Sequence, residues 1–142
     1  MSFQEAVNSI TAIAPCLKNG LQAMGANSKL VRPADTKSLE GSVDIDSCIG
    51  QAQPQAARWD YAIGYKGNSY FVEVHPANGQ ASEVIAKCTW LRTWLKAEGA
   101  PLAQIHGDGV FHWLSTGGVK IIGKEKARLA QNKIIINNLK LE

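Results

Sequence analysis

The chain has 142 residues, of which 45% are hydrophobic and 19% charged, the make-up of an ordinary globular protein long enough to bury a core. A net charge of +3 at pH 7 is too small to argue for a nucleic-acid partner by itself. Glu5 and the lack of a basic stretch before the first apolar residues exclude a secretory signal, and no run approaches a membrane span, so the expectation is one cytoplasmic domain, 1–142.

Taken along the chain, Ser2 and Glu5 have capping-box spacing, and Phe3, Ala6, Val7, Ile10 and Ala14 follow at helical intervals until Pro15. A second short helix is predicted from Cys16 to about Ala26, burying Leu17, Leu21 and Met24. Asn27 to Thr36, punctuated by Pro33, reads as a loop that ends in a turn of helix toward Glu40. Gly41 to Ile49 alternates Val43 and Ile45 with Asp44 and Asp46 and predicts a strand. Gln51 to Ala57 is a connection. Cys16, Cys48 and Cys88 are odd in number and lack paired ligand spacing, so reduced thiols are expected, with Cys88 in the core and no zinc site.

The stretch Arg58 to Ala77 carries the most chemistry. Tyr61, Ile63 and Tyr65 alternate with Asp60, Ala62 and Gly64; Lys66 to Ser69 supplies turn residues; Tyr70, Val72 and Val74 then alternate with Phe71, Glu73 and His75. The predicted hairpin sets Asp60 opposite His75 and Glu73 opposite Ala62, with the two acid Cβ atoms about 7–8 Å apart on a diagonal. On this reading Tyr61, Ile63, Tyr65, Val72 and Val74 form the core face. The acids, with little bulk beside them at Ala62 and Gly64, occupy the polar face, where two carboxylates can converge on one cation.

Beyond Pro76 and Gly79 a helix is predicted from Ser82 to Glu98, closed by Gly99 with Pro101 after it. Val84, Cys88, Leu91 and Leu95 form its core stripe, and Glu83, Lys87, Trp90 and Trp94 a second stripe beside the first. Gly109 to Ser115 reads as a strand that a right-handed crossover places parallel to Tyr70–His75. Val119 to Ile122, a short helix at Lys124 to Gln131 and the apolar run Ile134 to Ile136 complete an α/β (α+β) domain with a mixed sheet. Lys120, Lys124, Lys126, Arg128, Lys133 and Lys140 against Glu125 and Glu142 make the last segment the most basic, a solvated face or a set of phosphate contacts. His106, Asp108 and His112 lack a ligand spacing, and there is no phosphate loop of the Walker type.

An acid at the start of one strand, an acid and a further polar residue on the next, then a crossover helix and another strand: over Gly41 to Ser115 this order resembles the PD-(D/E)XK nuclease-like superfamily, on Asp60, Glu73 and the position of His75. The resemblance implies a restriction-endonuclease-like core and a metal-dependent phosphodiesterase acting on DNA or RNA. Asp60 and Glu73 would bind Mg²⁺ or Mn²⁺ and a lysine would orient the attacking water. Here His75 stands at the lysine position and Trp59, not proline, precedes Asp60. Either His75 takes the lysine's role, as a neutral base or as a metal ligand favouring Mn²⁺, or Lys87 supplies it from the crossover helix. Glu40 is a candidate for the acid that some members carry on an early helix, and Asp44 or Asp46 could add a ligand. The alternatives are an inactive module of the same fold that binds nucleic acid or a protein, and an assembly subunit, such as a homo-oligomer, using the Trp90/Trp94 stripe.

Overall fold

Ser2 opens the first helix as its spacing predicts. In the computed structural model, which describes residues 1–142, its Oγ accepts from Glu5 N at 3.1 Å while Glu5 Oε1 accepts from Ser2 N at 3.1 Å, at the head of α1 (Phe3–Asn8). The expected second helix does not form. Gly20 (φ 51°) and Gly25 (φ 55°) are left-handed and interrupt it, leaving single turns of 3-10 helix and the kinked 3-10 stretch Gln22–Leu30. The expected loop at Asn27–Thr36 contains β1 (Val31–Pro33), which pairs in parallel with the C-terminal β7 (Leu139–Leu141).

Five further strands form one sheet in the order β2 (Leu39–Asp44), β3 (Tyr61–Tyr65), β4 (Asn68–His75), β5 (His106–Ser115) and β6 (Ile134–Ile136). The first three are antiparallel neighbours; β4, β5 and β6 run parallel, so the fold is the predicted α/β type with a mixed sheet. The strand expected to reach Ile49 ends at Asp44, whose carboxylate accepts from Ser47 N at 2.9 Å and caps a short helix, α2 (Ile45–Ile49). Glu40, expected near a helix, lies on β2 and accepts from Phe3 N at 3.1 Å and from Gly67 N, which turns it away from the other acids.

The hairpin forms with a register two residues from the predicted one. Lys66 (φ 49°) and Gly67 (φ 80°) alone make the turn, and Tyr65 pairs with Asn68, Ile63 with Tyr70 and Tyr61 with Val72. Two successive left-handed residues match the twist of the strands and set a two-residue turn at Lys66 and Gly67, in place of the expected two- or four-residue connection centred one residue later. Continued by one residue, this register brings Asp60 opposite Glu73 rather than His75. Because the slip is an even number, the acids still share a face.

That face is not solvated. The helix after β4, α3 (Ala81–Leu95), with α1 and α4 (Ala100–Ala103), covers the side carrying Ala62, Phe71, Glu73, Phe111 and Trp113, where the larger core lies. Ala62 and Gly64 leave room for α1, not for a ligand: a Cβ on Gly64 would sit 2.2 Å from Phe3 Cγ. Ile63, Tyr65, Val72 and Leu114 on the other face pack on Met24, Val31, Leu139 and Leu141 in a second core. The sheet is therefore apolar on both sides, as strands with parallel neighbours commonly are.

After β5 comes α5 (Gly123–Gln131), close to prediction, whereas Val119–Ile122 takes no regular structure and leaves Val119 54% and Ile122 64% exposed. Cys88 is free and buried as expected, but Cys16 and Cys48 are joined in a disulfide, Cα atoms 6.2 Å apart, and not reduced. The odd cysteine count hid a pair separated by 32 residues. No helix is long and apolar enough to cross a membrane.

Candidate functional site

Asp60 stands at the threshold of β3, held there from both sides. Its neighbour Trp59 is fully buried against Phe111, ring centroids 6.0 Å apart, and its own carbonyl accepts from Ile45 N at 2.8 Å. Arg58 fixes the preceding connection: its Nε lies 2.9 Å from Asp46 Oδ1, and its guanidinium donates to the Gln53 carbonyl. Asp46 is thereby committed to Arg58 and Asp44 to its cap.

The two carboxylates interlock across the hairpin. Asp60 N donates to Glu73 Oε1 at 3.1 Å and Val74 N donates to Asp60 Oδ2 at 3.0 Å. Above them, Lys87 on α3 reaches down so that its Nζ lies 2.7 Å from Glu73 Oε2. Three residues distant in sequence, Asp60, Glu73 and Lys87, thus converge under one helix.

His75 lies on the same face at the end of β4 but is turned elsewhere. Its Nδ1 is 3.0 Å from the Pro76 carbonyl and its Nε2 3.2 Å from Glu83 Oε2, so both ring nitrogens face acceptors. The edge of Trp113 packs on the ring, centroids 6.1 Å apart.

Burial sets the electrostatics. Glu73 is 0% exposed, and burial, reinforced by the Asp60 charge, pushes its carboxyl up to about 8 in spite of Lys87. Burial also raises Asp60, against the Val74 N–H and Lys87, with Asp46 and Asp44 adding to the rise. For Lys87 burial works against the charge, and the hydrogen bond and charge of Glu73 outweigh it, so the amine sits above the ordinary lysine range. Lys87 is an ammonium. When both acids ionise, the cluster has two negative charges against one positive, and this excess opposes ionisation.

A divalent cation is the natural complement to that excess. Nowhere do three His, Cys, Asp or Glu side chains converge on a metal cage, so an ion here would have Asp60 and Glu73 as its only side-chain ligands. Asp60 Oδ1 takes part in no protein hydrogen bond, and a hard cation such as Mg²⁺ prefers carboxylate oxygen and keeps several waters. Both oxygens of Glu73 already accept hydrogen bonds, from Asp60 N and Lys87 Nζ, and its side chain is 0% exposed.

Two groupings escaped the sequence reading. Gln53, in the connection before Asp60, accepts from Trp90 Nε1 at 2.9 Å and ties the approach to the site onto α3. On β5, Asp108 Oδ2 lies 2.6 Å from His112 Nε2 and Oδ1 lies 3.5 Å from His106 Nε2. The signal was present in Gly109: its left-handed φ of 71° bends the strand so that residues four apart can meet. The chain matches no protein-family model, no curated protein and no solved structure.

Proposed function

We propose that the protein is a divalent-metal-dependent phosphodiesterase of the PD-(D/E)XK-like kind, hydrolysing DNA or RNA, with Asp60 and Glu73 as the ligands of Mg²⁺ or Mn²⁺ and Lys87 in the place of the superfamily's lysine. The observation that carries the reading is Lys87 Nζ at 2.7 Å from Glu73 Oε2, delivered from the crossover helix to the acid pair. Bound there, the ion would lower the pKa of a water and neutralise charge developing on a phosphate.

The chain's own residues supply the rest. Glu73 is held by Asp60 N and Lys87, and Asp60 by Val74 N, so a cation would meet two carboxyl groups fixed in place; Asp60 Oδ1 is unshared, and Glu73 would give up its proton and a hydrogen bond to bind. Lys87 has three N–H donors; one is spent on Glu73, and the others can hold a water or a phosphate oxygen. As an ammonium it positions and stabilises; it does not take a proton. His75, with both nitrogens engaged, is left to orient the strand end and Glu83.

A second reading, an inactive module of the same architecture, is favoured by one observation: Glu73 is 0% exposed, as a structural buried ion pair would be. The cytoplasmic location expected from the sequence stays with the proposal, with the Cys16–Cys48 disulfide weighing against it.

Cleavage of mixed single- and double-stranded DNA and RNA in Mg²⁺ and Mn²⁺ tests the choice. Asp60→Asn and Glu73→Gln should each abolish hydrolysis seen with the wild type. A wild type inert on every substrate would leave the binding module as the reading.

A further inference from the structure

Along α3, the residues Lys87, Trp90 and Trp94 fall at spacings of three and four and share one face, Trp90 one turn and Trp94 two turns beyond the lysine. The two indoles are stacked, centroids 5.9 Å apart and planes 11° apart. Trp94 is clamped by Gly99, where a Cβ would come within 2.5 Å of its ring. Trp90 is only half-buried and is fixed by Gln53. A cleft of ≈ 240 Å³ opens here, lined by Gln53, Trp90, Thr93, Trp94, Ala97 and Glu98. Trp94 belongs to the core, 5% exposed, and backs Trp90, the more exposed of the two indoles.

We infer that this cleft is a subsite for one unstacked nucleobase of a single-stranded nucleic acid, next to the scissile phosphate. The inference rests on the phosphodiesterase reading and names its substrate class. The half-buried Trp90 indole, stiffened by stacking on buried Trp94 and by its bond to Gln53, offers a flat face of the kind on which bases stack irrespective of sequence. The volume falls below the roughly 300–1,000 Å³ of pockets that enclose whole ligands, which suits a base and not a whole nucleotide. One helix turn, about 5.4 Å, separates Trp90 from Lys87, so a strand whose phosphate meets the lysine can bring the adjoining base over Trp90. In a duplex that base is already stacked and paired, so the cleft is left to an unpaired strand.

Anisotropy titrations of a fluorescein-labelled single-stranded oligonucleotide, as DNA and as RNA, of its duplex and of an abasic strand, in EDTA, test this with wild type, Trp90→Phe and Trp90→Leu. The wild type should prefer the single strand. Trp90→Leu should weaken that binding about tenfold, Trp90→Phe much less, and neither should change the weak binding of the abasic strand. Trp90→Leu binding base-bearing strands as the wild type does, losing the same factor on duplex and abasic strands, or a wild type that binds no strand, would overturn the subsite. Cleavage in Mg²⁺ or Mn²⁺ is scored separately. Hydrolysis without Trp90 dependence removes the subsite and leaves the enzyme; Trp90-dependent binding without hydrolysis does the reverse.

Discussion

In the proposed phosphodiesterase Lys87 and His75 compete for one role, and their surroundings separate them. Lys87 is 26% exposed at its side chain and touches Glu73; His75 touches Glu83 and a backbone carbonyl and reaches neither acid by a hydrogen bond. Lys87→Met should therefore lower cleavage about 10²-fold or more, whereas His75→Ala should keep it within a few-fold, measured as single-turnover rates on the same substrate. Since Lys87 acts as a charged donor, the rate should show no loss through the neutral range that depends on that residue. Asp108 gives a prediction away from the site. Burial acts to raise its carboxyl, but hydrogen bonds from His106 and His112 and the His112 charge outweigh it, holding the group well below the usual range. A depressed acid stabilises the fold above its unfolded value and loses that contribution as pH falls toward its folded value. Asp108→Asn should cost about 1–2 kcal/mol in urea unfolding at about pH 7, a cost that shrinks as pH falls below about 4 toward the folded value.

At the scale of elements, the Cys16–Cys48 disulfide staples the loop after α1 to α2, the helix capped by Asp44 beside the site. Closing a loop of 32 residues should stabilise the fold by about 2–4 kcal/mol, so reduction, or Cys16→Ser with Cys48→Ser, should lower the unfolding free energy by that amount with the far-ultraviolet spectrum unchanged. Periodicity made the hairpin, the crossover helix, β5 and β6 legible, because each is long enough, or apolar enough, for its pattern to dominate. It misjudged the exposed face for a physical reason. Alternation separates two faces of a strand but does not say which is covered. Ala62 and Gly64 read as open space, yet small residues are also what lets Phe3 and α1 approach, and both faces proved apolar. β1 and β7, three residues each, were too short to carry a period, and Gly20 and Gly25 broke a helix whose apolar spacing was sound. Of the candidate site, the acid pair and Lys87 could be named from the sequence; that they meet depended on the register of a turn and on which side α3 packs.

The whole molecule carries the acid cluster at a cost to its own stability. Glu73, raised to about 8, keeps a proton in the fold that the unfolded chain releases near pH 4–5. Between those values the folded state binds more protons, so stability should fall as pH rises from about 5 to about 8. A cation that binds the ionised pair should offset that fall, giving a larger Mn²⁺-induced rise in Tm at the upper end of the range than at the lower. The most direct test of a metal site at Asp60 and Glu73 is a calorimetric titration of Mn²⁺ at about pH 8 into wild type, Asp60→Asn and Glu73→Gln, each shown to be folded. The proposal predicts saturable binding by the wild type and its loss in both variants. A wild type that takes up no Mn²⁺, or variants that bind it as tightly, would contradict it.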